Sequence, residues 1–428
     1  MQDKLLDLVF SELGIWEEAI NDGDEKEIKS HILTNYSDPN YRNDLKEKVR
    51  NHEYHIQPPH EAQIPKDDGT MRTVYANEGI DRVFLTVINN VFFKYCGHMI
   101  HKTCKSYQIG IGCGKIDKQV VRDIQKIKTA KDKLGYKIDL SKYFDTVPIQ
   151  YIDEVFDNIE KQFGPSTILD VVREYYHDDT LLDLERNEIH KYTSLRQGCA
   201  IAAFLADAVL YDVDEVISGY NVVYYRYSDD ILILGEDADT AYEKISIMLD
   251  EKSLKLNPKK VEVLNGDHWF TFLGFSIRND QITLSKKRIK NLQKVIERCT
   301  IDCHSKGYNS KTAMRRIYTY LYDTSITKYG YADGILPIVN VKSDLQELDN
   351  FILDCLRACD TKRKKVGGLG YNKAGKNGVV VRGKGKNVKA NLAKQPIVDG
   401  YIPITYMQEL FQSNRNIYET YVKDMILS

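Results

Sequence analysis

No stretch of this 428-residue chain holds about 18 consecutive apolar residues, the least that a membrane-crossing helix needs. A transmembrane protein is therefore not expected. The start, "MQDKLLDLVFSELGIWEEAI", lacks the basic head and unbroken apolar block of a secretion signal and scatters its apolar residues among charges, as an amphipathic helix does. A cytoplasmic location is the expectation. Excess charge of either sign is also missing, since 60 Lys and Arg face 62 Asp and Glu. A net charge of −2 argues neither for nor against a nucleic-acid partner, because distribution matters more than the sum. The eight cysteines are few for this length and fit reduced thiols better than a disulfide framework. Cys299 and Cys303, like Cys355 and Cys359, stand four apart among apolar residues. Buried packing thiols are the expected reading, with a zinc site as its rival.

What is present points to a packed globular protein. Hydrophobic residues make up 42% and charged residues 29%, and the length suits two to three domains. The basic residues are unevenly placed, for residues 361–394 carry eleven Lys or Arg and no acid. Contact with a polyanion is the functional reading of that tract, weighed against a merely solvated segment.

Residues 1–55 read as helical, with a break at "NYSDPN" and a stop at "QPPH", where two prolines exclude continuation. In "AQIPKDDGTMRTVYA", extended-type residues flank Asp68-Gly69, which is a hairpin signal. A helix follows over "IDRVFLTVINNVFFKYCGHMI". Glycines 110, 112 and 114 precede Lys115, but the spacing and the following Ile116 do not make a phosphate-binding loop, so a turn is expected. Then come a short strand "GYKIDL", a helical region to about 186, one small-residue helix over "AIAAFLADAVLYDVDEVI", two strands in "NVVYYRYSDDILILG" and a helix over "TAYEKISIMLDEKSLKL". This order suits a small sheet backed by helices.

Aspartates stand side by side at 67–68, 178–179 and 229–230, so such a pair alone says little. Ahead of Asp178, "ILDVVREYYH" has helical spacing, which puts that pair at a helix end. Around Asp229 and Asp230, β-branched and aromatic runs bracket the pair and imply a hairpin bend. A lone pair does not make a metal site; further oxygen ligands must come from another element. Asp139, at the end of an apolar strand, is the candidate, the alternative being two unrelated strand ends.

Taken in order, "KIDLSKYFDTV", "SLRQGCAIAAFLADAVL", "YRYSDDILIL", "LKLNPKKVEVL" and "FTFLGFSI" resemble the successive palm motifs of reverse transcriptases. "YHIQPPHEAQIPKDDGTMRTV" resembles the fingers segment of the bacterial, group II intron-like enzymes. The resemblance spans about 54–280 and implies an α+β right-hand polymerase with fingers, a palm holding a small antiparallel sheet, and a helical thumb. It divides the chain into an N-terminal helical extension (1–62), fingers (63–136), palm (137–284, with a helical fingers-side segment near 150–200), and thumb with basic C-terminal extension (285–428). It also sets aside the 178–179 pair, which precedes "RQG" where the family's Tyr-x-Asp-Asp follows it.

The resemblance implies that Asp139, Asp229 and Asp230, with the Leu140 carbonyl, hold two Mg²⁺ ions, Mn²⁺ being the alternative. Phe144 matches the position that blocks a nucleotide 2′-hydroxyl. Lys66 and Arg72, on opposite arms of the hairpin, would clamp the triphosphate. Gln197 and Gly198 would let backbone approach nucleotide and template, and Lys260 would protonate pyrophosphate. "FLGF" matches a primer-gripping hairpin. After it Ser285 is a plausible N-cap, and Ile289, Leu292, Ile296 and Cys299 form the apolar face of a helix whose Lys-rich side suits duplex phosphates.

Departures concern the subfamily. Ala202-Ala203 replaces the usual Ser-Pro, Asp207 a frequent Asn, and the glycine run a more usual Arg-Pro-Gly. No nuclease pattern follows residue 285. The chain then resembles stand-alone bacterial enzymes of the "unknown group" type, and among these the class-2 defence-associated reverse transcriptases, which implies a role in antiphage defence. The expected partners are a template RNA, in particular a noncoding RNA encoded nearby, its cDNA product and dNTPs, with no membrane. A retron-type enzyme making RNA-linked DNA and an RNA-binding scaffold with a vestigial site are the alternatives.

Overall fold

A computed structural model describes residues 2–21, 38–66, 69–107, 120, 133–191, 194–322, 338–360 and 400–427. The glycines at 110, 112 and 114 and the basic tract at 361–394 lie outside these. The chain forms two compact units, one of residues 1–110 and 134–263, the other of 111–133 and 264–428.

In the first unit, β1 (His60–Pro65) and β2 (Met71–Ala76) pair antiparallel, with Pro65 opposite Met71, around a bend where Gly69 has φ +84°. The helix before β1, Pro39–Arg50, ends at Asn51, whose amide donates to the Glu47 carbonyl, and so stops short of the "QPPH" expected to end it. That helix starts at Asp38, whose carboxylate accepts from the Asn40 amide, and carries Pro39 in its first turn, where a missing N–H costs nothing.

The four-stranded sheet has the order β6-β7-β3-β8, formed by β3 (Lys133–Asp139), β6 (Val222–Tyr227), β7 (Asp230–Gly235) and β8 (Glu262–Asn265). Helix Ile149–Phe163 repeats apolar residues at Ile152, Val155, Phe156 and Ile159, the spacing that makes one helical face. These side chains share a core with Ile138 of β3, Ile231 and Ile233 of β7, and Ile245 and Leu249 of helix Ala238–Glu251. Each such side chain contributes about 1.5–3 kcal/mol of burial. The sheet edge that carries the candidate site thus rests on a rigid layer.

Two expectations about elements are corrected. The helical region does not run to 186; helix Thr167–His177 ends there, and β4 (Thr180–Leu182) and β5 (Glu188–His190) form a hairpin joined in parallel to β1. Its turn is built by Asp183, whose carboxylate accepts from the Glu185 and Asn187 amides at 2.8 and 2.9 Å. A local side-chain bond of this kind competes with helix. The small-residue helix is also two, Ala202–Ala208 and Tyr211–Ser218. The carbonyls of Ala206 and Asp207, at the break, accept from the buried Arg226 guanidinium at 3.3 and 2.8 Å instead.

The second unit contains a three-stranded sheet, β11-β10-β9, from β9 (Phe270–Phe272), β10 (Phe275–Arg278) and β11 (Gln281–Leu284). Leu273 and Gly274, both at positive φ (48° and 81°), make the two-residue turn between β9 and β10, the type whose twist matches paired strands. Helix Lys286–Ser305 begins at Ser285, whose hydroxyl accepts from the Arg288 amide, and buries Leu292 and Ile296 while Lys286, Lys290, Lys294 and Arg298 are exposed. Cys303, Cys355 and Cys359 are buried and Cys299 half-buried, all as free thiols.

Candidate active site

Asp139 is the last residue of β3, and in the antiparallel register it stands directly opposite Asp230, the first residue of β7. Side chains so paired point to the same face, about 4.5–5.5 Å apart at Cβ. Two carboxylates therefore share one sheet edge. Asp229 precedes them in the two-residue bend with Ser228, whose φ is +57°. The Leu140 amide donates to the Asp229 carbonyl at 3.1 Å and ties the bend to the end of β3.

This crowding is electrostatically costly. Burial first, then the negative charges of Asp139 and Asp230, hold the Asp229 carboxyl above the usual carboxylate range, with Lys260 opposing. Burial also raises Asp230, where the Lys137 charge opposes it and Asp139 adds to it. Lys260 extends its ammonium to 2.6 Å from Asp139 Oδ2. Burial pulls this lysine down, but the hydrogen bond to Asp139 and the three carboxylate charges outweigh burial and raise it. Asn257, three residues earlier, donates its amide to the Asp139 carbonyl at 2.8 Å and its side chain to Asp139 Oδ1 at 3.4 Å. "NPKK" thus serves Asp139 twice.

Hard carboxylate oxygens whose mutual repulsion a cation would relieve fit Mg²⁺ or Mn²⁺. Among the described residues no three His, Cys, Asp or Glu side chains converge tightly enough to cage an ion alone. Further ligands must come from backbone, water or a nucleotide.

Phe144 lies in the short helix Tyr143–Thr146, half-buried, its ring edge-on to Tyr143 at 5.7 Å. Lys66 and Arg72 are exposed at the turn end of the β1/β2 hairpin, where the Lys66 amide donates to the Thr70 carbonyl at 2.7 Å. Gln197 lends its carbonyl to the Tyr75 amide at 2.7 Å, which docks "RQG" on β2. Next to it Gly198 has φ +101°, and a Cβ there would come within 2.9 Å of the Val74 side chain and 3.1 Å of the Tyr75 carbonyl. Only glycine fits this approach without displacing β2. The pair at 178–179 is elsewhere: Asp178 caps the end of helix Thr167–His177 and accepts from the Thr180 amide, and Asp179 pairs with His190 at 2.8 Å, while the pair at 67–68 lies outside the described residues.

Sequence reasoning passed over the group behind the bend. Arg226 of β6 is fully buried, with Asp214 carboxylate oxygens at 2.6–3.0 Å from its Nε and Nη2. Asp207, also fully buried, accepts from Ser106 Oγ at 2.5 Å, and burial pushes its carboxyl up to about 6 against the Arg226 charge. A signal existed in "VVYYRYSDD": one charge inside an otherwise apolar and aromatic strand requires buried partners.

An α+β chain of helices and small sheets, with Asp139 and Asp230 at facing strand ends and Asp229 in the adjoining bend, has the right-hand polymerase fold. The model of the family "Reverse transcriptase (RNA-dependent DNA polymerase)" matches residues 64–277, half of the chain. The chain belongs to the reverse transcriptase family, whose members are nucleotidyltransferases. No curated protein matches it in sequence. Similar solved structures include two telomerases. Apo telomerase from Candida tropicalis, truncated from its C-terminal domain, is 15% identical with a TM-score of 0.41, over 56% of this chain and 58% of that one. Telomerase from Candida albicans, in complex with a TWJ fragment of telomeric RNA, is 12% identical with a TM-score of 0.41, over 73% and 60%. The chain thus spans about three fifths of the length of each. No helix among the described residues is long and apolar enough to cross a membrane.

Proposed function

We propose that this chain is an RNA-directed DNA polymerase that copies an associated structured noncoding RNA, encoded nearby, into cDNA, and that it acts in the cytoplasm in antiphage defence. The observation that carries the polymerase reading is the register that sets Asp139 opposite Asp230 with Asp229 in the adjoining bend. The defence role and the RNA's origin rest on the subfamily resemblance, which the departures at Ala202, Ala203 and Asp207 support.

Asp139, Asp229 and Asp230, with the Leu140 carbonyl, would hold two Mg²⁺ ions. Bound there, such ions lower the pKa of the primer 3′-hydroxyl and stabilise charge on the departing pyrophosphate. The chain's own groups do the rest. Lys260, kept protonated by the carboxylates around it, donates a proton to pyrophosphate. Lys66 and Arg72 hold the triphosphate oxygens, to which a cation on either arm of a hairpin is suited. The Phe144 ring fills the space a 2′-hydroxyl would need. Gln197 and Gly198 give the template and nucleotide a surface free of side-chain bulk. The basic tract at 361–394 would follow RNA phosphates.

The decisive experiment purifies the protein with its bound nucleic acid and sequences that material before and after dNTPs and Mg²⁺ are added. A discrete RNA and a complementary DNA that appears only after dNTP addition are expected. DNA covalently joined to RNA would favour a retron-type product, and no DNA from any primed RNA template would overturn the reading.

A further inference from the structure

The bend that carries Asp229 is held from behind at both backbone polar groups of one residue. Ser228 sits in the left-handed region at φ +57°, a conformation that an L-residue's Cβ disfavours. Its amide donates to Ser106 Oγ at 2.9 Å, and its carbonyl accepts from Arg226 Nη1 at 3.3 Å. Both partners are fully buried and each is fixed in turn. Ser106 spends its proton on Asp207 Oδ1 at 2.5 Å, which leaves the hydroxyl oxygen free to accept from Ser228. Arg226 is braced by Asp214 and by the Ala206 and Asp207 carbonyls at the break between two helices. The segment carrying Ser106 lies alongside β6, with the Arg226 amide donating to Thr103 and the Lys105 amide to the Arg226 carbonyl at 3.1 and 2.8 Å.

We propose that Ser106 is a positioning residue for nucleotide addition: with Arg226 it clamps the Ser228 backbone in its left-handed conformation and so fixes where Asp229 and Asp230 stand before any ligand arrives. A two-residue bend with one member at positive φ persists only where its surroundings hold it, and each neighbouring conformation would swing Asp229 relative to Asp139. A displacement of about 1 Å at a reacting centre can cost a hundredfold in rate. The hydrogen bonds at Ser228 therefore bear on turnover and not only on folding. This inference rests on the polymerase reading for its kinetic part; the clamp itself does not.

The test compares wild type with Ser106→Ala, which removes the acceptor, and Ser106→Cys, which keeps a weaker hydrogen-bonding group of nearly the same shape. Amide hydrogen exchange of the full-length protein reads the clamp directly. The Ser228 amide is expected to exchange at least tenfold faster in S106A, with S106C between, while the Ile231 and Leu232 amides keep their protection. Single-turnover dNTP addition is expected to slow about tenfold in S106A and less in S106C, with the dNTP KM within twofold and the active fraction unchanged. If S106A does not fold, S106C carries both measurements. Equal Ser228 exchange in all three proteins overturns the clamp. Faster exchange with an unchanged rate, or a loss confined to the active fraction, overturns the positioning role. A wild type that adds no nucleotide defeats the polymerase reading instead, and the exchange measurement still decides the clamp.

Discussion

The Lys260 ammonium stands 2.6 Å from the Asp139 carboxylate, bridging 121 positions of sequence at the open edge of the sheet. It is more than half exposed, so the pair adds little to stability. Its interest is chemical: the carboxylates around it raise the lysine, as the proposed proton donor to pyrophosphate would require. Replacing Lys260 by Met is expected to lower the rate of nucleotide addition by about a hundredfold. Because the environment raises this lysine, wild type should lose activity only as pH climbs past the ordinary lysine range, and K260M should lack that alkaline limb. Pre-steady-state rates from pH 7 upward check both.

The two Tyr-x-Asp-Asp strings should behave oppositely. Asp229→Asn is expected to reduce cDNA synthesis by a thousandfold or more, on the order of what loss of a transition-state electrostatic partner costs. Asp178→Asn alters a helix-end carboxylate that accepts from the Thr180 amide, and should leave the rate within twofold. A primed RNA template with both variants decides it, and a dead D178N would reverse the assignment.

Stability should depend on pH and Mg²⁺ together. Asp229 and Asp230 sit above their ordinary value of 3.8, so the folded protein binds protons that the unfolded chain has released. By linkage, these groups make stability fall as pH rises from about 3.8 through their raised values. A divalent cation prefers the deprotonated pair and reverses that loss. Free Mg²⁺ at ten times Kd should add about 1.4 kcal/mol at pH 7. The gain should shrink toward pH 4.5, and the double variant D229N/D230N should abolish it, as read from Tm with Mg²⁺ against EDTA.

Phe144→Ala should admit ribonucleotides. Removing a half-buried ring that packs edge-on to Tyr143 leaves the core beneath it intact, so folding should survive. Discrimination between dNTP and rNTP, as the ratio of kcat/KM values, is expected to fall about tenfold or more. An unchanged ratio would remove Phe144 from the sugar-selecting role.

Gly198→Ala should destabilise by about 1–3 kcal/mol, since a Cβ at φ +101° meets Val74 and the Tyr75 backbone. The strain falls on the contact between "RQG" and β2, so the dNTP KM should rise more than kcat falls. Denaturant unfolding and steady-state kinetics on one preparation separate the two effects.

Much of this chain is legible from local sequence. The β6/β7 bend, the hairpin around Gly69, the Ser285 cap and the helix-end place of Asp178 all follow from alternation, turn residues and capping, which act over a few neighbours. The order of the motifs was enough to set the family. Tertiary structure alone decided what crosses long stretches of chain. It set the register that opposes Asp139 and Asp230, the reach of Lys260 to Asp139, and the docking of Gln197 on Tyr75. It also split the helix expected over 200–217, because Arg226 in the strand that follows takes carbonyls that local propensity would have left to the helix. The physical reason is that periodicity fixes which face of an element is apolar, whereas the partner of a buried charge is fixed only when the elements pack.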